Sequence, residues 1–154
     1  MMVSTKGRYA LMVMIDLAQN QGEGLVSLSD IAERQNLPMK YLESVVAILN
    51  KGEMLKSFRG KNGGYRLIKE PSEYTVNEIL ILTEGTLAPV ECIRNNDIQC
   101  DKAANCLTLP LWVGLDRVIE NFLVSITLED IITGNRKKML GDWCEPCATE
   151  SDDK

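Results

Sequence analysis

There is no histidine anywhere in the 154 residues. Its absence excludes a Ser-His-Asp or Cys-His catalytic set and any Cys/His zinc finger, and it leaves sulfur and oxygen side chains as the metal ligands on offer. Long apolar runs are missing too: none approaches the roughly 18 residues that span a bilayer, and the opening Met1-Met2-Val3-Ser4-Thr5-Lys6 lacks the apolar stretch of a secretion signal. The chain therefore reads as cytoplasmic. In a reducing compartment five cysteines, an odd number, point to metal or redox chemistry rather than to a disulfide framework. Excess positive charge is absent as well. With 17 Lys+Arg against 22 Asp+Glu, the net charge of -5 draws no phosphate backbone by bulk electrostatics.

Any attraction to nucleic acid must be local, and the charge is unevenly spread. Residues 1–75 hold 10 basic and 8 acidic residues, net +2, whereas residues 76–154 hold 7 basic and 14 acidic, net -7. Lys56, Arg59, Lys61, Arg66 and Lys69 flank the run Arg59-Gly60-Lys61-Asn62-Gly63-Gly64-Tyr65 with no acid among them. This is a basic hairpin on an acidic chain. A hydrophobic content of 45% favours a folded unit, and the length suits one core.

Tyr9, Ala10, Val13, Met14, Leu17 and Ala18 recur at helical spacing, which predicts a first helix from Thr5 to Gln19 closed by Gly22 and Gly24. Ser27 with Asp30 reads as a capping box for a second helix from Leu28 to about Gln35. Asn36 tolerates the left-handed turn that ends it, and Pro38 suits the opening of a third helix over Met39 to Lys51. Leu42, Val45, Val46 and Leu49 form that helix's inner stripe and turn Lys40, Tyr41, Glu43, Ser44 and Ala47 outward. Leu55, Ser57 and Arg59, then Tyr65 and Leu67, alternate about the glycine-rich turn as a two-stranded hairpin does. Thr75 and Glu78 cap a fourth helix from Val76.

These elements make a mainly α fold with a small β-hairpin: a winged helix-turn-helix over residues 2–84, with the helix-turn-helix at about 28–51 and the wing at about 54–69. Residues 85–107 form a cysteine-bearing loop. From Thr108 to about Ser125 a long helix spreads Leu111, Trp112, Leu115, Val118, Ile119, Phe122 and Leu123 over too wide an arc for one core, so a second surface must cover it. Pairing with its own copy in a homodimer answers that need. Thr127 and Asp130 cap a short helix ending at Gly134, and residues 135–154 are expected to be a mobile tail. No internal repeat is found.

A helix-turn-helix beside a basic hairpin places the second helix in the major groove of a DNA duplex and the wing on an adjacent phosphate run or minor groove. Lys40, Tyr41 and Ser44 lie on the outward face, where Lys40 and Tyr41 can bond phosphates or base edges, and Glu43 can accept from a cytosine amino group. Arg59 suits a narrow minor groove, Lys61 adds charge beside it, and Gly60, Gly63 and Gly64 let the wing backbone approach closely. Cys92, Cys100 and Cys106 follow a C-x7-C-x5-C spacing suited to a loop around a polynuclear centre, three thiolates being most of the ligands of an iron-sulfur cluster. Three free thiols, one or more redox-active, fit the spacing equally well. Cys144 and Cys147 form a C-x2-C pair that offers ligands, a redox disulfide or nothing.

Together the runs Ser4-Thr5-Lys6-Gly7-Arg8-Tyr9-Ala10, Ile31-Ala32-Glu33-Arg34, Tyr41-Leu42-Glu43, Arg59-Gly60, Gly63-Gly64-Tyr65, Cys106-Leu107-Thr108 and Leu111-Trp112 resemble the superfamily of dimeric winged-helix repressors that includes the iron-sulfur regulator IscR, the nitric-oxide sensor NsrR and the cysteine-metabolism regulator CymR. The resemblance covers about Met2 to Gly134. It implies a transcriptional regulator rather than an enzyme, with a double-stranded operator and a second copy of the chain as partners. It also implies that Ser4, Tyr9 and Tyr65 join the DNA-contact residues and that the helix from Thr108 crosses the dimer. By the same resemblance Cys92, Cys100 and Cys106 hold an iron-sulfur cluster, [2Fe-2S] ahead of [4Fe-4S], as in the IscR branch. Leu109 stands where IscR-like members have a ligating histidine, and Arg8 stands where NsrR-like members have an acidic ligand. The fourth ligand is left among Glu91, Asp97, Asp101, a partner residue and a tail cysteine. Two rivals remain: a cluster-free regulator responding through thiols or a docked enzyme, and a small electron carrier using the winged fold as scaffold.

Overall fold

The computed structural model of the chain describes residues 2–22, 24–98 and 100–141. Helix α1 (Thr5–Asn20) starts where the Ser4 hydroxyl accepts from the Gly7 amide, and it buries Ala10, Val13, Met14 and Leu17 along one stripe. Helix α2 (Leu28–Gln35) is capped by Ser27, whose hydroxyl accepts from the Asp30 amide at 3.1 Å. The expected box closes only halfway: no Asp30 carboxylate bond returns to the Ser27 amide, and the Ser27 hydroxyl instead lies 2.9 Å from that of Ser29. Asn36 takes the left-handed conformation at φ 50, with the Leu37 amide donating to Ala32, and the chain turns sharply into helix α3 (Met39–Lys51).

Gly52 closes α3 for a packing reason. Its φ of -80 is open to any residue, but a Cβ there would strike the Leu82 side chain, while the positive φ of the turn falls on Glu53. Strands β1 (Leu55–Phe58) and β2 (Gly64–Leu67) pair antiparallel in the register Leu55 to Leu67, Lys56 to Arg66 and Ser57 to Tyr65. Leu55 and Leu67 turn into the core and leave Lys56 opposite Arg66 on the exposed face. Val26 adds a single bridge to Tyr65, so the wing is tethered to the turn before α2.

After a 3-10 helix (Pro71–Glu73), helix α4 (Val76–Glu84) opens with the full Thr75–Glu78 capping box and packs against α1 and α3. Two further 3-10 helices, Glu91–Asn96 and Ala103–Asn105, carry the chain to helix α5 (Leu109–Ser125). Helix α6 (Leu128–Ile132) has its Thr127–Asp130 box and returns to the winged unit, where Leu128 is fully buried with Met14, Leu42 and Ile79. The tail expected from residue 135 begins instead with helix α7 (Arg136–Leu140). Asn135 caps it at the Lys138 amide, and Lys138 pairs with the Asp130 carboxylate at 2.5 Å, an anchor that sequence periodicity does not display. Hydrogen bonds from Lys138, Thr127 and Asn135 hold the Asp130 carboxyl far below the usual carboxylate range. Among the described residues no helix is long and apolar enough to cross a membrane.

Candidate nucleic-acid interface and cysteine segment

An ion pair ties together the two helices that precede α3. Asp16, fully buried on α1, accepts from Arg34 Nε at 3.0 Å and a terminal nitrogen at 2.6 Å, and from Gln35 Nε2 at 3.0 Å. Burial pushes the Asp16 carboxyl up, but the hydrogen bonds from Arg34 and Gln35 outweigh it and hold the group below its ordinary value. This fork fastens α2 to α1 just ahead of the turn into α3, which itself packs on α1 and α4.

On α3 the residues Lys40, Tyr41, Glu43 and Ser44 are all exposed, Tyr41 to 59%. Tyr41 does not swing freely: its ring meets Tyr9 edge-on at 6.2 Å between centroids. The Ser44 hydroxyl donates to the Tyr41 carbonyl at 2.8 Å and is thereby turned toward its own helix. A groove of about 150 Å³ separates α3 from the wing and is lined by Glu43, Val46, Ala47, Asn50, Ser57 and Tyr65. Asn50 and Ser57 belong to this face although sequence reasoning passed over them. Asn50 lies seven residues beyond Glu43, two helical turns on, and that spacing was the available signal.

At the wing tip Arg59, Gly60 and Lys61 are exposed, and Gly60 sits at φ 121, a conformation that side chains disfavour. Gly63 and Gly64 serve the hairpin itself. A Cβ on Gly63 would meet the Phe58 carbonyl, and one on buried Gly64 would come within 2.6 Å of the Val26 carbonyl oxygen. Tyr65 is half-buried against the groove floor. Among the described residues none of Lys56, Arg59, Lys61, Arg66 and Lys69 has an acidic partner within 4.0 Å, and Lys56 directly faces Arg66 across the strands. Like charges at opposed positions destabilise a hairpin, so this pair costs stability that no acid nearby offsets.

Two outlying residues have partners within the fold. The Ser4 hydroxyl donates to Glu84 Oε1 at 2.7 Å while accepting from Gly7, and its amide donates to the same carboxylate oxygen. Tyr9, half-buried, has its ring edge-on to Tyr41.

In the cysteine segment Cys92, Cys100 and Cys106 are half-exposed free thiols. Cys106 sits just ahead of α5 with its sulfur 3.4 Å from the Thr108 hydroxyl, and hydrogen bonding from that hydroxyl and from the Thr108 and Leu109 amides draws its thiol down. Among the described residues no three Cys, Asp or Glu side chains stand together as a group able to hold a metal ion. The three sulfurs are thus suitable donors for a cluster in kind, but this conformation does not gather them. Among the described residues two short 3-10 helices shape the segment, and Leu87 and Ile93 are buried apolar anchors in it. Cys144 and Cys147 lie outside the described residues.

Helix α5 above the segment has no buried residue. Leu111, Leu115, Val118 and Phe122 form an exposed apolar stripe, reaching 61% at Leu111 and 65% at Val118.

Known proteins share this arrangement. The Rrf2 family, described as an iron-dependent transcriptional regulator, matches residues 3–134. The transcriptional regulator IscR of Photorhabdus laumondii is 38% identical over 132 residues, covering 86% of this chain and 79% of the relative. The structure of CymR, the global cysteine regulator of B. subtilis, superposes with a TM-score of 0.72 at 38% identity, covering 87% of this chain and 98% of that one. T. potens IscR superposes with a TM-score of 0.70 at 36% identity, covering 99% and 94%. A helix-turn-helix with a charged wing, matched from Val3 to Gly134, settles the relationship: the chain belongs to the Rrf2 family of DNA-binding transcriptional regulators.

Proposed function

We propose that the protein is a homodimeric, cytoplasmic repressor that reads a double-stranded operator with α3 and the wing, its affinity set by the state of Cys92, Cys100 and Cys106. The observation that supports the DNA contact is the set of five cations on a wing that flanks the exposed face of α3, none with an acidic partner within 4.0 Å among the described residues. Lys40 and Tyr41 engage phosphates or base edges at the start of α3, Glu43 accepts from a cytosine amino group, and Arg59 enters the minor groove. Lys61 and the open Gly60 backbone bring the wing tip onto phosphate. Ser44, Gly63, Gly64 and Tyr65 shape the interface around them, and Ser4 and Tyr9 support it from α1.

Pairing of two α5 stripes gives two such readers a common separation, which a pseudo-palindromic operator requires. The cysteine segment joins α4 of the winged unit to α5, so its conformation bears on that separation. Three thiols suit an iron-sulfur cluster in kind, and the family resemblance puts [2Fe-2S] ahead of [4Fe-4S]; when bound it would supply a centre that oxygen, nitric oxide or thiols can attack. The chain's own part is to present three half-exposed thiols, with Glu91, Asp97 and Asp101 exposed on the same segment. Loading alters operator affinity only to the extent that the two loop states differ in binding free energy.

A second reading, a cluster-free regulator working through the thiols, draws on the ungathered sulfurs, on Leu109 in place of a ligating histidine, and on the similarity to CymR. Anaerobic purification followed by absorption spectroscopy, iron and sulfide analysis, and operator binding separates the two. The cluster reading requires visible absorption that each of Cys92→Ala, Cys100→Ala and Cys106→Ala alters. A colourless, iron-free protein that binds its operator with unchanged affinity in all three variants contradicts it and leaves the thiol reading.

A further inference from the structure

Tyr74 is 2% exposed, yet it makes more connections between separate parts of the fold than its place before α4 requires. Its phenol oxygen accepts from the Ile68 amide at 3.0 Å and the Lys69 amide at 2.9 Å, and it donates to the Met54 carbonyl at 2.7 Å. Met54 immediately precedes β1, and Ile68 and Lys69 immediately follow β2. One hydroxyl therefore closes the open end of the wing. The Tyr74 carbonyl accepts from the Leu128 amide at 3.0 Å, and two residues on the Val76 amide donates to Ile126 at 2.9 Å, on either side of the Thr75–Thr127 bridge. The same residue thus joins the wing base to the α5–α6 junction.

The other fastenings of the wing run to the opposite side. Tyr65 pairs with Val26, and the Leu67 amide donates to the Gln21 side chain at 2.8 Å, both at the end of α1 and the turn after it. A phenylalanine at position 74 would fill the same space but leave two amides and a carbonyl without their partner.

We propose that Tyr74 is a positioning residue for DNA binding: through its hydroxyl it holds the wing at an angle set by the α5–α6 junction, so that Arg59 and Lys61 reach the duplex in register with α3. The inference rests on the reading of the wing as a DNA contact, and the variants below separate the failure of one from the failure of the other.

The experiment uses the full-length protein and a duplex that it selects from a random pool, with affinity read by fluorescence anisotropy. Arg59→Ala/Lys61→Ala weakens binding by roughly tenfold or more. Tyr74→Phe alone weakens it by roughly fivefold and lowers the salt dependence in the same sense, because a loosened wing gives up phosphate contacts. In the Arg59→Ala/Lys61→Ala background Tyr74→Phe adds nothing further, an outcome that general loss of stability does not produce. Full affinity in Tyr74→Phe, or a loss that adds completely to that of the wing variant, overturns the inference. An Arg59→Ala/Lys61→Ala variant that binds as well as wild type overturns the wing reading itself, and the inference with it.

Amide exchange on the wild-type protein decides the matter should Tyr74→Phe fail to fold. The Ile68 and Lys69 amides are expected to exchange through the same opening as those of Val76 and Leu128, with protection factors within about threefold. Much faster exchange at Ile68 and Lys69 shows the wing base opening by itself and contradicts the proposal.

Discussion

In the winged unit a buried polar group is held by several partners at once, whereas among the described residues between Gly85 and Ser125, before the Asp130 cluster, side chains are held by few or none. Asp16 is gripped by Arg34 and Gln35, and the Tyr74 hydroxyl by three backbone groups, inside a core running from Ala10 to Ile79 with Leu128 added. Beyond Gly85 the three thiols are half-exposed, and α5 buries no side chain of its own. The contrast fits the two tasks proposed above. A duplex reader needs its contact groups fixed before binding, because ordering them on the DNA subtracts from affinity. A responsive segment needs two arrangements close in free energy, which a fully packed core does not permit.

The largest test attacks the α5 stripe. Val118→Glu puts a carboxylate at the centre of an apolar face that the isolated chain leaves 65% exposed. It should yield a folded monomer by sedimentation, with operator affinity reduced on the order of 100-fold because paired half-site binding is lost. A dimer with unchanged affinity would show that α5 is not the pairing surface.

Next comes the rigid half. Asp16→Asn should cost about 2 kcal/mol in urea unfolding at pH 7, since it removes the charge from a buried fork while the partly exposed Arg34 can recover some solvation. The sign with pH follows from a folded-state carboxyl lying below its ordinary value of 3.8. Its contribution is fully present above that value and drains away as pH falls below it, so the gap between wild type and Asp16→Asn should shrink at pH 3. A gap that widens on acidification contradicts the assignment.

A smaller change separates stability from function within the wing. Arg66→Glu turns the opposed Lys56 and Arg66 into an attractive pair. It should raise unfolding free energy by about 0.5 kcal/mol while weakening DNA binding by roughly tenfold. If both quantities move the same way, the uncompensated charge of that face is structural rather than functional. Smallest of all, Cys100→Ser, at a half-exposed site with no disulfide partner among the described residues, should leave apo-protein unfolding within about 0.5 kcal/mol of wild type. A large loss would place Cys100 in the rigid half.

Legibility followed the range of the interactions. Ser27, Asn36, Pro38, Thr75 and Thr127 act on neighbours within a few residues, so the bounds of α2 and α3 and the starts of α4 and α6 were readable from the chain alone. The exposed face of α3 and the basic wing followed from the same local rules. What escaped is nonlocal. Glu84 claims the Ser4 hydroxyl from 80 positions away, Leu82 explains Gly52, and Val26 explains Gly64. Helix α7 depends on Lys138 reaching Asp130, and Asn50 and Ser57 become neighbours of Glu43 only once the hairpin folds beside α3. The cysteine spacing showed which donors are present, but the conformation found here does not bring them together.

Competition binding decides whether α3 and the wing together read sequence. A duplex selected from a random pool is set against bulk random DNA, for the wild-type protein and for Tyr41→Ala/Arg59→Ala, while salt is raised from about 50 to 200 mM. The wild type should keep a preference of at least about 10³ for the selected duplex throughout, and the variant should lose most of it. Equal affinity for both DNAs, vanishing together as salt rises, would reduce the interface to nonspecific charge and contradict the assignment.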